Sequence, residues 1–292
     1  MFIATLIAAE SIVERDILDA IETLHPLCGV TDWGWLDEGR AADIYFNEDA
    51  DRAAGALAPR FDRIDVVIQP AAHREKKLLV ADMDSTMITV ECIDELADYA
   101  GIKPQIAEVT ERAMRGELDF ASALDARVAL LKGLPEAAID QCLEERVRLM
   151  PGAETLVKTM RARGAHTILV SGGFTRFAEP VGTRIGFDRR IANVLEIDAG
   201  KLTGTVTKPI VDSSTKETTL LGAMAELGLV PEQTMAVGDG ANDLAMIRKA
   251  GLGVAYHAKP IVAAAAGARI DHGDLTALLY AQGIARAEWV TA

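Results

Sequence analysis

Asp82 and Asp84 stand two residues apart, directly after the apolar run Leu78-Leu79-Val80-Ala81. In an extended segment residues i and i+2 point the same way, so the two carboxylates can share a site. Like charges that close cannot both stay ionised unless a metal ion or a shared proton relieves them. A helix cap plus a turn aspartate is the plainer use of such a pair, and these two residues alone do not separate the readings. Asp239 and Asp243 form a second acidic pair, in Gly238-Asp239-Gly240-Ala241-Asn242-Asp243, after the apolar stretch Thr234-Met235-Ala236-Val237. Asn242 or Asp243 is also placed to cap a helix starting at Leu244. Carboxylates from two adjacent strand ends make a hard-oxygen set that suits Mg²⁺. Neither segment has the register of an EF-hand loop. Ser171-Gly172-Gly173 follows Thr167-Ile168-Leu169-Val170 and offers a hydroxyl and backbone N–H groups, which bind phosphate-like oxygens. Lys216, after Asp212-Ser213-Ser214, lies near a helix start. Such lysines are commonly solvated, but here the ammonium could neutralise carboxylate and phosphoryl charge.

These residues need elements to converge them. The 292 residues suit two domains. Residues 1–72 read as β-α-β-β-α-β, a small ferredoxin-like plait, with strands at Phe2–Ile7, around Asp32–Trp35, at Asp43–Phe46 and at Ile64–Ile68. Residues 69–77 read as a linker in which Pro70 stops the strand and the charges stay in water. Residues 76–292 alternate helices with short apolar strands, the pattern of a Rossmann-like α/β parallel sheet covered on both faces. Ligands sit beyond the C-terminal ends of such strands, and three of these strands end in polar, Gly-rich tips. Residues 91–149 show no strand and break at Gly101, Gly116 and Lys132-Gly133-Leu134-Pro135, which suggests a helical cap inserted over the crevice. Leu202–Val206 reads as part of a hairpin at the rim.

Composition excludes several partners. With 30 Lys plus Arg against 44 Asp plus Glu, the formal net charge is −14, which disfavours nucleic acid and anionic lipid. Cys28, Cys92 and Cys142 form no CxxC pair, so reduced thiols in a cytoplasmic protein are expected. The first residues lack a basic n-region, and no apolar run is long enough to span a membrane. The five histidines have no metal-like spacing. No GxGxxG follows the first core strand, so a dinucleotide site is disfavoured.

Asp-Met-Asp-Ser-Thr at 82–86, Ser-Gly-Gly at 171–173, Lys216, and Gly-Asp-Gly-x-Asn-Asp at 238–243 occur in the order of the four signature motifs of the haloacid dehalogenase superfamily, and residues 76 onward resemble that family. The stretch 82–96 and Tyr256-His257-Ala258-Lys259-Pro260 resemble its phosphoserine phosphatase branch. The resemblance implies hydrolysis of O-phospho-L-serine, a small-molecule substrate, through an aspartyl-phosphate. Asp82 would be the nucleophile and Asp84 the general acid and base. Asp82, Asp84 (through its backbone carbonyl) and Asp239 would hold Mg²⁺, with Asp243 in support. Ser171, Gly172 and Lys216 would hold phosphoryl oxygens, and Asn242 would orient Lys216 or touch substrate. Glu91 would meet the substrate ammonium, Arg127 its carboxylate, and Phe120 and Met114 would supply apolar cover. Other small phosphomonoesters, such as phosphothreonine or phosphohomoserine, or transfer to an acceptor other than water, are the alternatives. The plait resembles ACT-like domains. Its turn Ala8-Ala9-Glu10-Ser11 lacks the glycine that ligand-binding versions place there, so docking or homodimerisation is expected at least as much as effector binding.

Overall fold

The computed structural model describes residues 1–291 apart from Gly116, and the backbone but not the side chain of Met114. The expectations for Gly116 as a helix break and for Met114 as apolar cover therefore lie outside the described residues.

The first sheet contains β1 (Phe2–Ala8), β2 (Val30–Asp37), β3 (Ala41–Phe46) and β4 (Ile64–Pro70), in the antiparallel order β2-β3-β1-β4. Helices α1 (Glu14–Cys28) and α2 (Ala50–Leu57) cover one face. The sequence of α1 explains its placement. Ile17, Ala20, Leu24 and Cys28 recur at helical spacing and are buried, and Gly29 takes the left-handed conformation that ends the helix.

The second sheet contains β5 (Leu78–Ala81), β6 (His166–Phe174) and β7 (Arg189–Asn193). The hairpin β8 (Leu195–Asp198) and β9 (Lys201–Val206) stands apart as its own two-stranded sheet. Strands β10 (Thr234–Gly238), β11 (Leu252–Tyr256) and β12 (Ala268–Ile270) complete the large sheet. Its order is β12-β11-β10-β5-β6-β7, with every pair parallel. β5 shows why the strand is central. Leu79 and Ala81 enter one apolar core, while Leu78 and Val80 enter another on the opposite face. Burying each such leucine is worth about 1.5–3 kcal/mol. The chain runs from β5 to one side, then returns through β10 to the other, so the crevice opens where the strand order reverses.

Between β5 and β6 lie α3 (Cys92–Tyr99), α4 (Lys103–Met114), α5 (Phe120–Leu130), α6 (Ala137–Glu145) and α7 (Ala153–Ala162). The first four match the expected cap. The chain enters and leaves it through a narrow neck, where Ile88 pairs with Leu149 and Thr89 N–H donates to the Arg148 carbonyl at 3.0 Å. Helices α8 (Thr175–Ile185), α9 (Ser213–Leu227), α10 (Leu244–Lys249), α11 (Pro260–Ala263) and α12 (Ala277–Ala281) complete the fold. No helix among the described residues is long and apolar enough to cross a membrane. Cys28, Cys92 and Cys142 are buried free thiols.

The expected solvated linker is corrected. Strand β4 runs through Gln69 to Pro70, and the charged residues after it turn inward. The Arg74 guanidinium donates to both Asp43 carboxylate oxygens, at 2.7 and 2.6 Å, and to the Ala281 carbonyl at 3.0 Å. Lys76 is buried, and its ammonium donates to the carbonyls of His73 and Glu232. Backbone acceptors and one buried carboxylate meet these cations, so they need no water. Together with the Gln69 amide on the Ala281 carbonyl and the Tyr280 hydroxyl on Asp37, they dock the plait against α12.

Candidate functional site

Strands β10, β5 and β6 are neighbours, so the residues after their ends meet. The Asp82 N–H donates to the Val237 carbonyl at 3.0 Å, which carries the β5–β10 pairing one residue past the strand. The Asp82 carboxylate oxygen Oδ1 accepts from the Met83 N–H and forms an ion pair with the Lys216 ammonium, both at 2.7 Å. Lys216 Nζ also donates to Asp243 Oδ1 at 2.6 Å. This lysine rises from the first turn of α9, whose N-terminus is capped by the Asp212 carboxylate on the Thr215 N–H. It is fully buried. Burial opposes its charge, but Asp82 and Asp243 outweigh that and hold its pKa above the usual lysine value. Lys216 lies beneath the crevice, paired to its floor.

Asp243 sits at the cap position of α10, yet its side chain makes no capping bond. Oδ1 takes Lys216, and Oδ2 accepts from the Gly240 N–H at 3.0 Å. The carboxylate crosses the space beside Gly238, where a Cβ would stand 2.3 Å from Asp243 Cγ, so only glycine fits there. Asp243 is the residue that orients Lys216 alongside Asp82. No hydrogen bond joins Asn242 to that lysine among the described residues, and Asn242 lies on the cavity wall.

Carboxylate oxygens of Asp82, Asp239 and Asp243 lie within 4.8 Å of one another. Burial pushes Asp239 up to about 6 and Asp243 up to about 7, and the Asp82 charge adds to both shifts. Lys216 offsets part of this negative charge. The donors are all hard oxygens, and the remaining excess of acid fits a divalent cation. Asp84 completes the floor. Its Oδ1 is shielded and, among the described residues, has no hydrogen-bond partner. Desolvation, Glu91 and Asp82 hold its carboxyl well above the usual carboxylate range. The next residue, Ser85, takes a left-handed backbone with φ of 55°, rare for a residue other than glycine, and its hydroxyl donates to Glu91 at 2.7 Å.

Ser171-Gly172-Gly173 does not follow β6 but forms its irregular end, where the pairing with β7 slips between Val170 and Phe174. Such an irregularity disrupts the regular ladder at the crevice. Ser171 is buried, and its Oγ accepts from the Gly173 N–H at 2.9 Å. A Cβ on Gly172 would come 3.1 Å from the Phe120 ring, and one on Gly173 would come 3.1 Å from Asp84 Oδ2. The glycines therefore let the cap and the acid approach this loop.

Above these tips is a cavity of about 490 Å³. The cap supplies its roof, with Phe120 and Arg127 from α5 and Asp94 from α3, while Glu91 stands just before α3. Arg127 is half-buried, its Nε donates to the Ala123 carbonyl at 3.3 Å, and Asp94, Glu91 and Asp84 are the acidic groups around it. Asp82, Asp84, Ser171, Gly172, Asp239 and Asn242 line the same space.

Three contributors were not evident from sequence. Asn193, buried at the end of β7, donates its amide to the carbonyls of Gly172 and Val211 and accepts from the Val211 N–H at 2.7 Å, tying the Ser-Gly-Gly loop to the segment before α9. The weakly apolar segment Arg189–Asn193 gave no strand signal. Asp94 carries only the local signal of an acid in a first helical turn. Lys259, the residue before α11, carries no signal beyond a cation ahead of a proline, yet it lines the cavity.

The architecture and these motifs are matched by a family model for haloacid dehalogenase-like hydrolases over residues 76–251, and the chain belongs to that family. Among its relatives, a phosphoserine phosphatase of Albidiferax ferrireducens is 49% identical over 215 residues, which cover 72% of this chain and 91% of the relative. A phosphoserine phosphatase of Mycobacterium tuberculosis is 45% identical over 78% of this chain, but the match spans only 56% of that protein's length. The crystal structure of a probable phosphoserine phosphatase from Vibrio cholerae superposes with a TM-score of 0.79 at 35% identity, covering 98% of this chain and 87% of that one. A haloacid dehalogenase family hydrolase from Salmonella enterica serovar Typhi gives 0.84 at 30% identity, covering 96% and 97%.

Proposed function

We propose that this chain hydrolyses O-phospho-L-serine to serine and phosphate, with Asp82 as the covalent nucleophile. The observation that carries the reading is the Asp82 carboxylate on the cavity floor, held by a buried lysine and two residues from a shielded second acid. Lys216 sets a buried positive charge against Asp82 and lowers the cost of bringing a phosphate dianion beside it. Asp82 attacks phosphorus in line with the leaving serine oxygen and forms an aspartyl-phosphate. Asp84, whose raised pKa favours the protonated state, donates its proton to that oxygen and then takes one from the attacking water. Ser171 and the Gly172 N–H bind phosphoryl oxygens, and Asn242 contacts the substrate. Asp82, Asp239 and the Asp84 backbone carbonyl would hold Mg²⁺, with Asp243 behind them. Bound there, the ion would supply charge neutralisation for the phosphoryl group.

The cap gives the substrate its name. In this reading Arg127 pairs with the serine carboxylate and Glu91 with the ammonium, beneath the Phe120 ring. Replacing Arg127 with Ala should raise KM for phosphoserine by about 10- to 100-fold, the value of a charge-assisted pair. A phosphomonoester without the amino-acid headgroup should be cleaved as before. Equal losses of kcat/KM on both esters would remove the specificity role.

The division into a plait over residues 1–72 and a phosphatase unit over 76–292, and pairing of two copies through the plait, belong to the same proposal. Phosphate release from L-phosphoserine, measured beside phosphothreonine and a simple alkyl phosphate, tests the function. Release should stop on chelation and return with added Mg²⁺. Undiminished release in excess chelator would overturn the metal assignment, and preference for another ester would overturn the substrate.

A further inference from the structure

The active site is built from residues after position 80, yet one acid of the N-terminal plait reaches toward it through a short chain of contacts. Asp65, on β4, is 4% exposed. Its carboxylate makes no ion pair among the described residues. It accepts from three backbone N–H groups of one turn just past β12: Asp271 at 2.8 Å, His272 at 3.2 Å and Gly273 at 2.8 Å. A carboxylate receiving three converging N–H groups fixes a turn in place, and the buried Gly273 donor would otherwise be left without a partner. The turn in turn holds His257. The Gly273 carbonyl lies 2.9 Å from His257 Nε2, and since a carbonyl only accepts, this nitrogen carries the proton. His257 has a left-handed backbone with φ of 42°, strained for a residue with a Cβ, and its ring packs edge-on against Tyr256 with centroids 4.5 Å apart. Such a conformation persists only when its surroundings over-determine it. Two residues further on, the Lys259 N–H donates to the Asp239 carbonyl at 3.2 Å, and both side chains line the cavity.

We propose that Asp65 is a positioning residue for the phosphate site: through the 271–273 turn and His257 it sets the backbone that places Lys259 beside Asp239. The plait is then a working part of the catalytic unit, and its docking is read out at the cavity. Gln69 offers a contrast. It ties the same strand to the Ala281 carbonyl at 2.6 Å but makes no hydrogen bond to the turn.

The test uses the full chain with Asp65→Asn, His257→Ala, the double variant and Gln69→Ala, each measured for melting temperature, kcat/KM and Mg²⁺ affinity by calorimetry. Asp65→Asn keeps the shape but turns an acceptor into a donor facing N–H groups. Asp65→Asn and His257→Ala should each lower kcat/KM by about 10-fold or more at temperatures where the protein is folded, and weaken Mg²⁺ binding. The double variant should be no worse than the poorer single one, as expected for two links of one chain. Gln69→Ala should lower the melting temperature and leave kcat/KM unchanged. Losses that multiply in the double variant, or an Asp65→Asn protein that differs only in melting temperature, would overturn the proposal. If Asp65→Asn does not fold, His257→Ala decides alone, and unchanged kcat/KM and Mg²⁺ affinity would count against it. The proposal rests on the phosphatase reading. A wild-type chain inert on every phosphate ester would defeat that reading, while the Mg²⁺ affinities would still judge the role of Asp65.

Discussion

An Asp82→Asn protein is expected to fold and to release phosphate from phosphoserine at less than about one ten-thousandth of the normal rate, the scale on which loss of a covalent nucleophile is felt. Folding should survive because Lys216 keeps its second partner, Asp243, at 2.6 Å. An amide also relieves repulsion in the acidic cluster. The Asp82 charge helps push Asp239 to about 6 and Asp243 to about 7, so both should move down when it is removed. The variant therefore separates chemistry from stability. Steady-state release, with denaturation of the same preparation as the control, is the measurement. Turnover near the wild-type rate would end the nucleophile assignment.

Loss of Lys216 should damage both. The ammonium is fully buried between Asp82 and Asp243. Lys216→Met preserves length and apolar bulk but leaves two buried carboxylates without their cation. Breaking a buried pair in this way costs about 3–5 kcal/mol, because the remaining charge is neither paired nor hydrated. Urea unfolding should show a loss of that order in metal-free protein. Mg²⁺ should recover part of it, since the cation binds only the folded site. Catalysis should fall by about 100-fold or more even with Mg²⁺ present, because a fixed positive charge beside the reacting group is gone. Unchanged stability in the metal-free variant would show that the two contacts of this lysine do not stabilise the fold.

The parts of the site that were legible in the sequence are those whose chemistry is local. Asp82 and Asp84 follow an apolar strand at a spacing that puts them on one side, and Gly238 and Gly240 mark close backbone approach around Asp239. Sheet order then follows from parallel connections, which bring β10, β5 and β6 together. What could not be read lies in contacts between distant positions. Arg74 and Lys76 have the composition of a wet linker, yet their partners, Asp43, Ala281 and Glu232, are far away in the chain. Asp65 is an ordinary polar residue in a half-buried strand until a turn more than 200 residues later supplies three N–H groups. Asn193 was missed for a related reason. Its strand is short and rich in arginine, and its value comes from bridging two loops. Asp243 stands at a position that suits a helix cap, but its side chain is taken by Lys216 and Gly240, which the local sequence does not show.

Rapid acid quenching of the enzyme during turnover with phosphoserine and Mg²⁺, followed by mass spectrometry of its peptides, tests the nucleophile most directly. A phosphate should appear on the peptide containing Asp82, at that residue, and vanish as the substrate is exhausted. Sustained turnover with no phosphorylated peptide, or with the phosphate on another side chain, would contradict the account.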